Sequence, residues 1–213
     1  MAIVAIDGPA GAGKSTVARM VADRTGLPYL DTGAMYRCVA LRTLRSGVDA
    51  ADADAVGRIA RQIDIVLDGP TTMMDGEDVS AEIRTPEVAG IVSVIAAHSN
   101  VRDAMREQQR QWAHASGGGV VEGRDIGTVV FPDADVKIFL TASPEERARR
   151  RVEQNGGDVA EVARAIAERD HIDSTRADSP LRPALESVIV DSTGKDIDTV
   201  VDEIVTIYRL KRN

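Results

Sequence analysis

Short, continuous runs of apolar residues recur along this chain and alternate with long amphipathic stretches. The apolar runs cover residues 2–6, 120–121, 136–140 and 188–190. Such runs are typical of strands that are buried on both faces of a parallel sheet. The stretches between them have apolar residues at helical spacing and begin near Lys14, Ala34, Pro86, Pro144, Val159 and Asp196. This alternation predicts an α/β fold around a central parallel sheet.

Capping signals mark where several of these helices begin and end. Thr85 and Ser143 each place a hydroxyl just before a proline, which is favoured in the first turn of a helix. Glu146 stands three residues after Ser143 and predicts a capping box. Gly156 and Gly157 then predict the end of that helix and a flexible joint after it.

Residues 63–84 break the α/β pattern. Every second residue over 63–68 is Ile or Leu, alternating with Asp64, Val66 and Asp68, and turn-forming pairs follow at Gly69-Pro70 and Asp75-Gly76. Alternation with period two and these turn residues are typical of antiparallel strands. We therefore predict a small antiparallel insertion in this segment.

Composition narrows the class of protein. The chain has 213 residues, 43% hydrophobic and 28% charged, with a net charge of −8. That composition is ordinary for a globular domain, and the acidic balance argues against nonspecific binding to nucleic acid or to an anionic membrane. With Cys38 as the single cysteine and no segment resembling a leader or a membrane span, we expect a cytoplasmic protein. The three histidines, His98, His114 and His171, show no metal-ligand spacing.

Residues 8–15 carry the clearest functional motif. They match G-x-x-x-x-G-K-[ST] and lie between a predicted strand and a predicted helix, as a phosphate-binding P-loop requires. Its backbone N–H groups can converge on phosphate oxygens, Lys14 adds a cation, and the Ser15 hydroxyl can bind Mg²⁺. The residues expected to bind ATP are Gly8, Pro9, Ala10, Gly11, Ala12, Gly13, Lys14, Ser15 and Thr16.

A P-loop alone leaves the chemistry open. A switch GTPase would need D-x-x-G on an early strand and a later [NT]-K-x-D, but the only suitable D-x-x-G lies at residues 191–194 with no [NT]-K-x-D after it. Motor and remodelling ATPases need a longer chain and a clear apolar strand that ends in Asp, which the run before Glu122 supplies poorly. A small-molecule kinase is the favoured interpretation.

Several arginines stand where the phosphate of an acceptor would need forked donors. Arg37, next to Tyr36, opens a predicted helix, and Arg124 with Asp125 follows a predicted strand, where α/β folds place their ligands. An ordinary helix start and a surface turn are the structural alternatives.

Two further groups of arginines lie on predicted helices. Arg169, Asp173 and Arg176 are spaced i, i+4, i+7, which predicts one helix face, although a salt-bridge ladder would have the same spacing. A dense cationic helix carries Arg147, Arg149, Arg150 and Arg151 and ends at a glycine joint. It could be a solvated face, but it also suits a lid that closes over a transferring phosphoryl group.

Taken together, four segments resemble the bacterial cytidylate kinase family, within the nucleoside monophosphate kinases. They are the P-loop at residues 8–15, Asp31-Thr32-Gly33, the G-R-D-x-G-T-V-V-F-P run at residues 123–132, and residues 169–176. Residues 77–85 also resemble the insertion of the bacterial members. The resemblance covers nearly the whole chain, and the G-R-D run is its most specific part.

The resemblance implies a three-layer P-loop kinase fold in a single domain, 1–213, with a central parallel sheet of about five strands. It would hold a monophosphate-binding region at about 34–115, the insertion at about 63–84, and a helical lid at about 145–165. The implied reaction is transfer of the ATP γ-phosphoryl group to CMP or dCMP, with Mg²⁺ as cofactor. A kinase for another nucleotide is the nearest alternative. We expect a monomer without nucleic-acid or membrane partners.

The resemblance also implies roles for individual residues. Arg37, Arg124 and Arg176 would hold the CMP phosphate, Tyr36, Arg169 and Asp173 would meet the ribose, and Ser93, Arg102 and Asp125 would read cytosine. Charge on the transferred group would be neutralised by Lys14, Arg147, Arg150 and Arg151. Asp31 would hold Mg²⁺ through a water, together with Ser15. Two departures from the family pattern are Thr32, where Ser is usual, and Ser15, at a position that varies between Ser and Gly.

Overall fold

The computed structural model describes residues 1–212, apart from the side chain of Asn155. The chain divides into two compact units: a sheet unit, Met1–Leu30 with Ala113–Asn213, and a helical unit, Asp31–Trp112. The strands are β1 Ala2–Asp7, β2 Tyr29–Asp31, β3 Ile65–Asp68, β4 Thr71–Met74, β5 Glu77–Asp78, β6 Gly118–Gly123, β7 Val136–Thr141 and β8 Val188–Asp191. The α-helices are α1 Lys14–Thr25, α2 Thr32–Arg45, α3 Ala53–Gln62, α4 Pro86–Ile95, α5 Ser99–Ala115, α6 Pro144–Asn155, α7 Val159–Thr175 and α8 Ile197–Arg212.

The main sheet has five strands in the order β2-β6-β1-β7-β8, and the predicted α/β architecture is confirmed. Strand β1 pairs in parallel with β6 and β7, and β7 pairs in parallel with β8. The glycine run extends β6 back to Gly118, which has φ +121°; a Cβ at this position would lie 2.3 Å from the Ala2 carbonyl oxygen. Only glycine therefore allows the start of β6 to pair this closely with β1.

The core of the sheet unit lies between the sheet and two helices. Side chains from β1 and β7, such as Ile6 and Ile138, are buried with Val17 of α1 and Ile204 of α8. Apolar residues on one stripe of each helix meet the continuous apolar strands, which explains why both patterns were visible in the sequence. This packing holds the carboxyl end of β1 and the first residue of α1 in fixed positions.

In the helical unit, α2 packs against α4, and β3, β4 and β5 form a separate antiparallel sheet, as predicted for the insertion. Helices α3 and α5 were not predicted. The sequence of α5 is rich in Gln, Arg and other polar residues, and only a few apolar residues, such as Val101, Met105 and Ala113, lie on its buried side. No helix within residues 1–212 has the length and apolar character needed to cross a membrane.

The observed helix caps match the capping signals predicted from the sequence only in part. The Ser143 hydroxyl accepts the Glu146 N–H at 3.2 Å, but the Ser143 N–H donates to the Thr193 hydroxyl, so the return bond of the capping box is replaced. Thr85 is the N-cap of α4, yet its side chain makes no capping hydrogen bond to the described residues. Asp31 is the N-cap residue of α2. The helix therefore begins at Thr32, two residues before the predicted start near Ala34.

Candidate active site

The phosphate loop joins β1 to α1 in the sheet unit, and its backbone is tightly enclosed. A Cβ at Gly8 would lie 2.0 Å from the carbonyl oxygen of Leu140 on β7, so a side chain at this position would force the loop away from the sheet. Gly13 adopts the left-handed conformation just before α1. The loop thus presents backbone N–H groups at the positive end of α1, which is the arrangement that binds phosphate.

Lys14 lies inside this loop and is 8% exposed. Its Nζ donates to the Pro9 carbonyl oxygen at 2.9 Å. Burial and, after it, the positive charge of Arg124 lower the pKa of Lys14 to about 7, although the Glu122 carboxylate opposes both effects. The ammonium group is therefore short of negative partners, and an anionic phosphate would supply one. Ser15 and Thr16 are exposed on the first turn of α1.

Arg124, just after β6, connects the phosphate loop to a second charged cluster. Its Nη1 donates to the Gly8 carbonyl oxygen at 3.0 Å, and its Nε donates to Asp173 Oδ2 at 2.8 Å. Asp173 also lies 3.6 Å from Arg176 Nη1, and Arg176 Nη2 lies 3.8 Å from Asp125 Oδ1. The structure thus brings together four of the residues expected to contact CMP.

The electrostatics of this cluster follow from its cations. Burial would raise the pKa of Asp173, but the charges of Arg124, Arg169 and Arg176 hold it below its ordinary value. The structure places Arg176 at the C-cap of α7, one residue beyond the helix. Its N–H still donates to the Ile172 carbonyl oxygen, and its side chain lies beside Asp173 as the helical spacing predicted. The helix ends at Thr175, and the Arg176 guanidinium faces Asp125 as well as Asp173.

Asp7, the last residue of β1, binds the backbone that directly follows Asp125. Its two carboxylate oxygens accept the N–H groups of Ile126 and Gly127, each at 2.8 Å. These residues begin a π-helical turn, Ile126–Val130, that follows Asp125. Asp7 is 3% exposed, and burial raises its pKa to about 6, although the two backbone bonds oppose the change.

The predicted lid arginines differ in their contacts. Arg147 donates to the Ala10 carbonyl oxygen at 3.0 Å and forms an ion pair with Asp170 of α7. Arg150 donates to the Ser192 hydroxyl at 3.0 Å and to its carbonyl oxygen at 2.8 Å. Arg151 is half-buried on α6. Two of the three are thus held against loops at the carboxyl end of the sheet.

The remaining predicted residues lie in the helical unit. Asp31 Oδ1 accepts the N–H of Ala34 at 2.9 Å as the cap of α2. The guanidinium of Arg102 on α5, which is 1% exposed, lies 5.7 Å from the centre of the Tyr36 ring. Arg37 on α2 and Ser93 on α4 are half-buried.

The donor set for a metal is sparse. Within residues 1–212 there is no group of three or more His, Cys, Asp or Glu side chains that could hold a metal ion. A Mg²⁺ ion that enters with a nucleotide takes most of its ligands from water and phosphate oxygens and needs only one or two from the protein. The Ser15 side chain is exposed beside the loop, and its hydroxyl could serve as one of these ligands.

Sequence reasoning missed the residues that hold this site in place, namely Asp7, Asp170 and Ser192. Asp7 could have been noticed, because it is an acidic residue directly after a buried strand and before the P-loop. Asp170 adjoins Arg169, and Ser192 lies in the D-x-x-G segment that was considered only for a GTPase. Their partners are far away in sequence, so no local spacing pointed to them.

A P-loop at the carboxyl end of a parallel strand, joined by an arginine to a second cationic cluster, defines a P-loop phosphotransferase. Among solved structures, a protein from Eubacterium ventriosum aligns with a TM-score of 0.58 at 13% identity, covering 98% of this chain and 99% of that one. TT1252 from Thermus thermophilus aligns with a TM-score of 0.56 at 15% identity, covering all of this chain and 98% of that one. These likenesses concern the fold alone.

Sequence comparison is more specific. The profile of the family described as cytidylate kinase matches residues 4–210. A cytidylate kinase of Pelotomaculum thermopropionicum is 52% identical over 95% of this chain and 93% of its own length, and one of Mycobacterium leprae is 54% identical over 90% and 88%. The chain also matches a bifunctional pantoate ligase/cytidylate kinase of Parasynechococcus marenigrum at 52% identity over 98% of this chain, but it spans only 44% of that relative's length. The chain belongs to the cytidylate kinase family, and it is a nucleoside monophosphate kinase.

Proposed function

We propose that this chain transfers the γ-phosphoryl group of ATP to a phosphate oxygen of CMP or dCMP, forming ADP and CDP or dCDP. Membership of the cytidylate kinase family supports this reaction. The observation that carries it in the structure is the position of Arg124, which donates both to the phosphate loop at Gly8 and to the Asp173 cluster. One side chain therefore links a donor-phosphate site to a cationic acceptor site.

ATP is the co-substrate, and its phosphates bind the loop at residues 8–16. Backbone N–H groups of the loop and the Lys14 ammonium supply the charge that the β- and γ-phosphates need. Mg²⁺ is the expected cofactor, with Ser15 as its protein ligand and Asp31 as a residue that could hold one of its waters. When bound, the ion neutralises phosphate charge. A bound ATP phosphate would also raise the pKa of Lys14 and so favour its protonated form, because it places negative charge beside the ammonium group.

On the acceptor side, the proposal assigns the CMP phosphate to Arg37, Arg124 and Arg176. The planar fork of arginine matches two phosphate oxygens, whereas a lysine would act as a point charge. Asp173 lies between Arg124 and Arg176 and keeps both guanidinium groups in place. The ribose is assigned to Tyr36, Arg169 and Asp173, and the cytosine base to Ser93, Arg102 and Asp125.

The chemical step needs no strong base, since the attacking group is a phosphate oxygen. The chain's residues align the two phosphates, exclude water and stabilise the charge of a loose transition state. Lys14, Arg147, Arg150 and Arg151 would supply cations around the transferred group. Helices α6 and α7, joined at Gly156 and Gly157, would form the lid.

A coupled assay of ADP release against a panel of nucleoside monophosphates tests the proposal. We expect CMP and dCMP to stimulate release far more than AMP, because the acceptor site must be filled before transfer. A Lys14→Met variant is the matched control and should lose the stimulation. Equal release with and without a monophosphate would refute the kinase assignment and favour a simple ATPase, while preference for another monophosphate would refute the assignment of cytosine. A monomer in the cytoplasm is part of the same proposal, and size-exclusion chromatography tests the oligomeric state.

A further inference from the structure

The peptide groups of Ala10, in the middle of the phosphate loop, are held by an ion pair from the two helices after β7. Asp170 Oδ1 on α7 accepts the Ala10 N–H at 3.0 Å. Arg147 Nη1 on α6 donates to the Ala10 carbonyl oxygen at 3.0 Å, and the same Nη1 bonds to Asp170 Oδ2. The three residues form a closed ring of hydrogen bonds, which we call the Ala10 clamp.

Apolar contacts reinforce the Ala10 clamp. The Ala10 side chain is 6% exposed and belongs to a small cluster with Ala148 of α6 and Ile166 of α7, against which Val162 also packs. The next residue, Gly11, is so close to α6 that a Cβ there would lie 3.1 Å from the Arg147 carbonyl oxygen. The loop is thus seated on both helices through side chain and backbone together.

The charges of the Ala10 clamp matter for an anionic ligand. Asp170 places a carboxylate directly against a loop whose N–H groups are suited to phosphate, and its side chain is only 20% exposed. A carboxylate at this place would repel a triphosphate unless a cation neutralised it. Arg147, which is 11% exposed, is that cation. Removing one member of a poorly exposed ion pair leaves the other charge uncompensated, and that costs more than removing both.

We propose that Asp170 is a positioning residue for ATP: together with Arg147 it fixes the phosphate loop at Ala10, and Arg147 keeps the Asp170 charge from opposing the nucleotide. Asp170 acts through the loop and not on the reacting atoms. The inference rests on the proposed function only for the identity of the nucleotide. It gives Arg147 a second task, besides any part in stabilising transferred charge.

Equilibrium binding of ATP in the absence of CMP tests the inference, because no phosphoryl transfer then occurs. The variants are Asp170→Ala, Arg147→Ala and the double variant, with affinities measured by calorimetry on the full chain. We expect Arg147→Ala to weaken ATP binding by about tenfold or more, since it leaves the carboxylate uncompensated. The double variant should bind ATP at least about threefold more tightly than Arg147→Ala. Glu168→Gln is the matched control on the exposed side of α7 and should leave ATP affinity unchanged.

Hydrogen exchange of the Ala10 amide provides a readout that a general loss of stability would not reproduce. Asp170→Ala removes its acceptor, so exchange at Ala10 should become at least about tenfold faster, while exchange in β1 stays unchanged. Asp170→Asn keeps an acceptor oxygen and should restore much of the protection. Thermal melting identifies any variant that fails to fold. If Asp170→Ala fails to fold, the exchange rate of the Ala10 amide in Asp170→Asn tests the inference instead.

Two results would overturn the inference. One is a double variant that binds ATP as weakly as Arg147→Ala or more weakly; the other is an Ala10 amide whose exchange is the same in Asp170→Ala and the unaltered protein. Failure of the proposed function would look different. In that case ATP would still bind and the variants would still rank as expected, but CMP would not stimulate ADP release.

Discussion

Replacing Asp7 by Asn should change how the stability of this protein depends on pH. Asp7 is buried at the end of β1, and its ionised carboxylate accepts two backbone N–H groups, from Ile126 and Gly127. Burial nevertheless dominates and raises the pKa from 3.8 to about 6. The folded state therefore binds the proton more tightly than the unfolded state does. A raised carboxyl pKa makes stability greatest when the group is protonated, and stability is lost as the pH rises from about 4 to about 6.

The magnitude follows from the two pKa values. The pKa of Asp7 rises from 3.8 to about 6 on folding, a change of about two units that corresponds to about 3 kcal/mol of stability lost once the pH is well above 6. Between pH 4.5 and pH 7.5 about 2 kcal/mol of this loss should be observed, because part of it has already occurred at pH 4.5. Asn at position 7 does not titrate, so this loss is absent from the variant. The lost hydrogen bond of the variant is a constant offset and does not alter the slope.

Urea unfolding of both proteins at several pH values between 4.5 and 7.5 measures this difference. The free energy of unfolding of Asp7→Asn minus that of the unaltered protein should rise by about 2 kcal/mol across the range. Asp135→Asn is a suitable control, because Asp135 accepts the Ile3 N–H at the other end of β1 but is exposed. A difference that stays flat, or that falls with pH, would show that the two backbone bonds outweigh burial at Asp7 and would refute the reasoning.

Three further predictions follow from the site and the sheet. Asp125→Asn should lower kcat/KM for CMP and narrow the CMP to UMP ratio by about tenfold, because an amide can donate to the uracil carbonyl; equal losses on both substrates would instead give Asp125 a supporting role beside Arg176. Arg150→Ala should lower kcat by up to about 10³-fold with a smaller effect on the KM for CMP, and an effect on KM alone would assign Arg150 to ground-state binding. Gly118→Ala should destabilise the fold by roughly 3 kcal/mol or more in urea unfolding, since its Cβ would lie 2.3 Å from a backbone oxygen. Gly26→Ala, where a Cβ would meet no atom within 4 Å, should cost only about 1 kcal/mol, and equal losses would contradict the steric argument.

Much of this protein could be predicted from sequence because the relevant interactions are local. Continuous apolar runs predicted β1, β6, β7 and β8, and residues 8–15 predicted the phosphate loop, since a strand, a glycine turn and a helix start lie within a few residues. The insertion was likewise visible, because its alternation and turns lie within residues 63–84. The family resemblance rested on short motifs of the same kind. Helix α5 was missed because its buried side includes the polar residues Arg102 and Gln109, which a search for apolar spacing does not count.

The arrangement around the loop was decided only by the tertiary structure. Asp7 and Gly127 are separated by 120 positions, and Ala10 and Asp170 by 160, so no spacing in the sequence relates them. The helical spacing of Arg176 predicted its position beside Asp173, but nothing in that spacing related it to Asp125. Buried polar groups must find partners once the chain is folded, and those partners come from whichever segments the sheet brings together. For that reason the sequence determined which phosphate-binding groups exist, while the fold decided which carboxylates and carbonyls hold them in place.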